Sequence, residues 1–141
     1  MLQDRVSYLA RVTVAAVLLF ASIAKISALL QPPDALWQRS WMAAHPRIAW
    51  LVSIGELICG LSILVRSLAV AAAWITLIGA GLGETVAHWW AYSSRMASMC
   101  GCMGQVAIGN AGRAALADAL MFLSAILLWH EKPKVHTPEV Q

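Results

Sequence analysis

Four long apolar stretches with few charges constrain what this chain can fold into. They run from about 12 to 30, 48 to 65, 67 to 92 and 114 to 129, and each approaches the roughly 20 residues that a helix needs to cross a bilayer. Of the 141 residues, 60% are hydrophobic and only 12% are charged, a balance outside the usual range for soluble domains. The sequence therefore predicts an integral membrane protein with four spans.

The links between these stretches are short, which favours antiparallel neighbours. We expect an all-α membrane protein, a four-helix transmembrane antiparallel bundle with both termini on the same side. Residues 1–130 then form a single four-span membrane domain. Residues 131–141 carry two prolines and mixed charges, which predicts a mobile C-terminal tail. A cleaved signal peptide is the competing interpretation of the first stretch.

The segment after the first span has a composition suited to a membrane interface. Pro32 and Pro33 end the first helix. Trp37 and Trp41 would share one face of a short helix capped by Asp34, and tryptophans on one face suit the headgroup region. A helix lying in the interface and a plain solvated loop both remain open for this segment.

The charge pattern excludes one class of partner and leaves the orientation open. The net charge is +3 and the basic residues occur singly, so no basic patch supports nucleic-acid binding. Cytoplasmic segments usually carry the excess of lysine and arginine. Here each side of the predicted bundle has five basic residues: Arg5, Arg11, Arg66, Lys132 and Lys134 on the side of the termini, and Lys25, Arg39, Arg47, Arg95 and Arg113 on the other.

Two cysteines flank a single glycine between the third and fourth spans. Gly101 gives the backbone the freedom for Cys100 and Cys102 to close a small ring, although such a ring departs from relaxed disulfide geometry. A strained disulfide is more oxidising and more easily exchanged than a structural one. This spacing favours a redox pair that exchanges with a partner thiol, with Cys100 and Cys102 as the reacting residues.

Two alternatives remain for the same loop. It offers thiolate and thioether sulfur of the kind that selects Cu(I), from Met96, Met99, Cys100, Cys102 and Met103. The cysteines are otherwise small residues beside a glycine, and methionine is a common filler at apolar surfaces. No cofactor site is evident in the sequence.

Ionisable residues within the predicted spans are costly and are therefore candidates for function or for pairing. Glu84 and His88 are four residues apart on one helical face and, with Arg95, could pass protons or lower a thiol pKa near the cysteine loop. Lys25, Glu56 and Asp118 could pair with one another inside the bundle. The long stem of a lysine could instead reach toward the interface.

Two further features of the spans bear on packing. Gly79, Gly81 and Gly83 give the third span small-residue spacing for close helix contact. Cys59 lies about eleven residues into the second span, which at 1.5 Å per residue is roughly 16 Å below the surface. We therefore expect Cys59 to be inert.

The order of several short motifs resembles the MauE/DoxX-like family of redox-associated membrane proteins. These motifs are ASIAKI in the first span, GELICGLSIL in the second, and CGCMG before the fourth. Cys100, Cys102 and Gly104 match the family's C-x-C-x-G element, and Lys25 and Glu56 match its lysine and acidic residue. Met103 stands where an aromatic residue is usual. The resemblance covers roughly residues 5 to 130.

The resemblance implies a bacterial inner-membrane protein that supports maturation of an exported redox enzyme of the methylamine dehydrogenase type. A periplasmic thioredoxin-like protein and an exported enzyme subunit are the implied partners, besides the lipid bilayer. Because disulfides persist in the periplasm, this implies a periplasmic cysteine loop and cytoplasmic termini.

Two other functions remain open beside this one: a membrane protein that binds or transports a soft metal, and a non-catalytic assembly subunit. The sequence has no phosphate-binding glycine loop, zinc ligand set or hydrolase arrangement. An accessory thiol-disulfide protein is therefore favoured over an independent enzyme.

Overall fold

The computed structural model describes residues 2–32, 41–94 and 110–130, and the regular structure in these ranges is helical. Four long helices and one short one follow in order: α1 (Leu2–Leu30), α2 (Trp41–Ala44), α3 (Pro46–Leu64), α4 (Ala69–Ser94) and α5 (Asn110–His130). The tail and the cysteine loop, with the predictions made for them, lie outside the described residues.

Local sequence explains where α3 begins and ends. Pro46 stands in its first turn, where a missing N–H costs nothing because that donor has no partner within the helix. At the other end Val65 is extended, and its N–H donates to the carbonyl of Ser62. A second bond from the Leu68 N–H to the Val65 carbonyl closes the turn at 3.0 Å. This short turn makes α3 and α4 neighbours.

The four long helices contact one another in a ring. α1 packs against α3 and α5, and α4 packs against the same two helices. One hydrophobic core contains Val14 from the first half of α1, Ile63 from the end of α3, Ala73 from the start of α4 and Leu127 from the end of α5. The first half of α1 thus meets the end of α3, and the start of α4 meets the end of α5.

The short helix α2 contributes to a second core at the opposite end. Met42 is buried together with Ala28 of α1 and Ala49 of α3. The rings of Trp41 and His45 stack with their centroids 4.9 Å apart, and the Nδ1 atom of His45 lies 3.1 Å from the Trp41 carbonyl oxygen. Trp41 therefore belongs to a one-turn helix packed on α1 and α3, whereas Asp34 and Trp37 lie outside the described residues.

Three of the described helices are long and apolar enough to cross a membrane: Arg5–Leu30, Pro46–Leu64 and Ala69–Trp89. The apolar part of α5, Ala114–His130, is shorter than these three. Large apolar side chains are exposed along all four long helices, including Phe20, Leu51, Leu82 and Phe122. Such exposure is expected where lipid covers the surface.

The first helix begins about ten residues earlier than the apolar stretch predicted. The physical reason is a continuous buried face, because Ser7, Ala10 and Val14 are all buried at helical spacing. Arg5 and Arg11 share this part of the helix without interrupting it, since arginine is a good helix former. The charge of Arg11 therefore limited the predicted span, although helix α1 continues through this residue.

The glycines of α4 do not make the close contacts that their spacing predicted. A Cβ at Gly79 or Gly83 would meet nothing within 4 Å, and one at Gly81 would meet only the Met121 Sδ atom at 4.0 Å. The tight approach occurs instead at Gly60 of α3, where a Cβ would lie 3.1 Å from the Leu19 Cγ atom. Among the glycines of α3 and α4, the closest contact therefore joins α3 to α1.

Candidate functional site

A buried ion pair joins α1 to α3. The Lys25 Nζ atom lies 2.5 Å from the Glu56 Oε2 atom. The lysine side chain has no solvent-exposed surface, and the glutamate side chain is 23% exposed. Taking either charge out of water alone is costly, whereas pairing with hydrogen bonds offsets much of that cost. The pair therefore ties the first two long helices together at one depth.

Hydroxyl groups extend this polar contact between α1 and α3. Ser22 donates from Oγ to the Ser53 carbonyl oxygen at 2.8 Å, and Ser53 donates from Oγ to the Ala49 carbonyl oxygen at 2.7 Å. Both serines are fully buried. These residues were not singled out from the sequence. The available signal was small polar residues near Lys25 and Glu56, since small residues allow two membrane helices to approach closely.

Lys25 does not reach toward the interface as its long stem suggested. Its Nζ atom donates to the carbonyl oxygen of Ala21, one turn earlier in α1, at 3.3 Å. The stem thus runs back toward the middle of the helix. The cause is the position of Glu56, whose carboxylate accepts a hydrogen bond from the Lys25 Nζ atom. This bond replaces the hydrogen bonds that water at the interface would form with the lysine.

Asp118 does not join the pair formed by Lys25 and Glu56. It lies on α5 and its side chain is exposed, whereas the pair lies between α1 and α3. The sequence periodicity of α5 does not show which of its faces contacts the other helices, so it could not predict that Asp118 is exposed. The structure therefore unites two of the three predicted intramembrane charges.

Glu84 and His88 form a second pair near the end of α4. The His88 Nε2 atom is 3.5 Å from the Glu84 Oε2 atom, with the imidazole 72% exposed and the carboxylate 16% exposed. His88 precedes the end of α4 at Ser94 by six residues, which is about 9 Å of helix. The pair thus lies close to where the chain enters the cysteine loop. Arg95 lies outside the described residues.

Cys59 is a free cysteine on the same helix as Glu56, three residues later. It is half-buried and packs against the core that contains Val14 and Ile63. In residues 2–32, 41–94 and 110–130, no three His, Cys, Asp or Glu side chains group to hold a metal ion. The soft-metal hypothesis concerns Met96, Met99, Cys100, Cys102 and Met103, which the structure does not describe.

Comparison with protein families shows which family this chain resembles. The model of the family described as methylamine utilisation protein MauE matches residues 3–130. The chain belongs to the MauE family. The match covers the chain from the second residue of α1 to the end of α5 and therefore includes the Lys25–Glu56 ion pair and the Glu84–His88 contact. No curated protein and no solved structure matches the chain.

Membership of the MauE family and the apolar helices together identify an integral membrane protein. The family description associates such proteins with methylamine utilisation, which fits an accessory role in the membrane. The resemblance inferred from the ASIAKI, GELICGLSIL and CGCMG motifs is thereby confirmed at the level of the family.

Proposed function

We propose that this MauE-family protein supports maturation of an exported redox enzyme of the methylamine dehydrogenase type by thiol-disulfide exchange. The exchanging groups would be Cys100 and Cys102, and the direct partner a periplasmic thioredoxin-like protein. The observation that carries the proposal is the C-G-C sequence between α4 and α5 in a chain that matches the MauE family over both helices. The role is that of an accessory protein.

The proposed architecture is a single membrane domain, residues 1–130, in which α1, α3, α4 and α5 form an antiparallel four-helix transmembrane bundle. Support comes from the core that brings the first half of α1, the end of α3, the start of α4 and the end of α5 together. Alternation of direction puts residues 31–45 and residues 95–109 at the same end. The cysteines then lie at the end where α2 packs.

The proposed orientation has cytoplasmic termini and a periplasmic cysteine loop in a bacterial inner membrane. Support comes from the burial of Lys25 against Glu56, because a paired, fully buried lysine is not available to the interface. When Lys25 is left out of the count, the side of the termini has five basic residues and the other side has four. The excess favours the termini as the cytoplasmic side.

The proposed exchange transfers two electrons between two cysteine pairs. A thiolate of the reduced partner attacks one sulfur of the Cys100–Cys102 disulfide, which forms a mixed disulfide and releases the other cysteine as a thiolate. The partner's second thiolate then displaces the first cysteine. The partner ends as a disulfide and the C-x-C pair as a dithiol, so two electrons pass to this protein. Cys100 and Cys102 are oxidised again by the same kind of exchange with the disulfide of a second, more oxidising protein, which takes up the two electrons.

Glu84, His88 and Arg95 have proposed supporting roles in this exchange. Support comes from the 3.5 Å separation of Glu84 and His88 and from the exposure of the imidazole near the end of α4. An imidazole in that position can take the proton of an attacking thiol or give one to a leaving thiolate. Arg95 would stabilise a thiolate by its charge.

The test is complementation in a strain that lacks the chromosomal copy. We expect the Cys100→Ser and Cys102→Ser proteins to reach the membrane in normal amount yet fail to support methylamine dehydrogenase activity. The matched Cys59→Ala protein should support full activity. Full activity with both loop cysteines replaced would refute the exchange function.

The second candidate function is that of a non-catalytic assembly subunit. It is favoured by Gly79 and Gly83, which are exposed four residues apart on α4, where a Cβ at either position would meet nothing within 4 Å. Glycines in this spacing let a second helix approach closely. In this case Gly79→Val would lower partner levels in the membrane, and the cysteine replacements would not.

A further inference from the structure

The helix α5 presents one face that no other described helix covers. Its exposed residues include Ala115, Asp118, Ala119, Phe122, Ala125 and Trp129. Their helical spacing places them on one side of the helix. The side chains of Phe122 and Trp129 are 68% and 70% exposed. One carboxylate thus stands in an otherwise apolar outer face.

The register of α4 and α5 gives the depth of that carboxylate. Gly81 of α4 lies opposite Met121 of α5, and a Cβ at Gly81 would lie 4.0 Å from the Met121 Sδ atom. In antiparallel helices Asp118 is then level with about Glu84, five residues before the end of the apolar part of α4 at Trp89. Five residues correspond to about 7 Å of helix. Asp118 therefore lies inside the apolar zone, on the side of the 95–109 connection.

Within the described part of the chain, no basic side chain pairs with Asp118. Lys25 forms its ion pair with Glu56. Arg5, Arg11 and Arg66 belong to the opposite end of the helices. Arg47 is exposed at the start of α3, which lies across the ring from α5. The side chain of Arg113, five residues before Asp118 on α5, lies outside the described ones. A charged carboxylate facing hydrocarbon is costly unless an opposite charge meets it. A cation at the depth of Asp118 would stabilise the charged form of this carboxylate.

A second copy of this chain would not supply that cation. A two-fold contact through α5 places the same patch against itself and would bring Asp118 toward another Asp118. The exposed alanines at 115 and 119 flank the carboxylate, and small residues permit close approach of another membrane helix. The occupant that fits is a helix from a different protein.

We infer that this face of α5 docks a transmembrane helix of a partner protein that carries a lysine or arginine level with Asp118. The basic group pairs with the carboxylate, and the partner backbone approaches over Ala115 and Ala119. This docking makes no use of Cys100 or Cys102, and it goes beyond the proposed exchange.

The test uses the full chain in phosphatidylcholine vesicles with a synthetic leucine-rich transmembrane peptide. The peptide carries one lysine about five residues inside its apolar boundary, and a second peptide carries glutamine there. A fluorophore on Ser67→Cys, in a Cys59→Ala, Cys100→Ser, Cys102→Ser background, reports association by energy transfer. We expect about three- to tenfold tighter binding of the lysine peptide, the range that polar contacts between membrane helices provide.

Variants at two carboxylates identify the contact. Asp118→Asn should abolish the preference for the lysine peptide, while Asp118→Glu, which keeps the charge, and Glu84→Gln, at the same depth, should retain it. Equal binding of both peptides to the Asp118 protein, or a preference that survives Asp118→Asn, would overturn the inference. So would self-association of the chain that Asp118→Asn removes, because the occupant would then be a second copy. Because the cysteines are absent, the result is independent of the exchange function.

Discussion

Lys25 and Glu56 carry opposite charges at the contact of α1 with α3, one fully buried and the other largely so. Removing one partner of a buried pair leaves the other charge uncompensated, which typically costs about 3–5 kcal/mol. We expect Lys25→Met to lower the free energy of unfolding by that amount. The measurement is unfolding in mild detergent, followed by maleimide reaction of Cys59 with Cys100 and Cys102 replaced by serine.

Replacing Lys25 and Glu56 together by apolar residues removes both the attraction between the charges and the cost of burying them. Apolar residues of similar volume at both positions often leave stability unchanged. Lys25→Met combined with Glu56→Leu should therefore recover most of the stability that Lys25→Met alone loses. If the double variant is as unstable as the sum of the two single variants, the pair is not the source of the loss and a separate role for each charge is indicated.

Two buried serines give a matched comparison. Ser53 donates to the Ala49 carbonyl oxygen, whereas the Ser124 Oγ atom is buried without a hydrogen-bond partner among the described residues. Ser53→Ala should cost about 0.5–1.5 kcal/mol, the usual net value of one hydrogen bond, and Ser124→Ala should cost nothing. The same detergent unfolding assay measures both. A larger loss for Ser124→Ala would indicate a bound water or ligand at that hydroxyl.

At the residue scale the sequence predicted two side-chain pairings, and the functional roles of these residues stay predictions. Ionisable residues in apolar spans identified Lys25, Glu56, Glu84 and His88, because such residues are rare in lipid. Four-residue spacing placed Glu84 beside His88. Residue spacing could not predict that Asp118 lies on the outer face of α5, because the outer face is determined by the helices that pack against α5. The roles of Cys100 and Cys102 remain predictions.

At the scale of helices, the contact of α1 with α3 depends on Gly60. A Cβ there would lie 3.1 Å from the Leu19 Cγ atom and 3.3 Å from the Leu18 Cβ atom. Gly60→Val should cost about 1–3 kcal/mol, the usual cost of overpacking. Gly79→Val is the matched control, since nothing lies within 4 Å of a Cβ at that position. Equal losses in the unfolding assay would contradict the packing described for α1 and α3.

The sequence predicted the four long helices, but it predicted the ends of some helices and the contacts between them less accurately. Apolar length located α3 and α4 to within about two residues. It missed the start of α1, because Ser7 and Ala10 continue a buried face among charged neighbours. Glycine spacing favoured α4 as the closely packed helix, and Gly60 of α3 has that contact instead. Spacing reveals where close approach is allowed, not where a neighbour is present.

At the scale of the whole molecule, the proposed orientation places the turn at 65–68 in the cytoplasm and the end of α4 in the periplasm. Ser67 and Tyr92 are exposed at these two ends. In a chain without its native cysteines, we expect Tyr92→Cys to react with a membrane-impermeant maleimide in intact cells and Ser67→Cys to react only after the inner membrane is opened. The reverse pattern would invert the topology and place the C-x-C loop in the reducing cytosol.

The redox state of Cys100 and Cys102 in growing cells distinguishes an exchanging pair from two permanently reduced cysteines. Acid quenching followed by a maleimide mass shift, in a Cys59→Ala background, counts the thiols of this pair alone. We expect an oxidised fraction that is reversible and that changes when the thioredoxin-like partner is removed. A pair that stays reduced in the presence and in the absence of that partner would contradict this expectation.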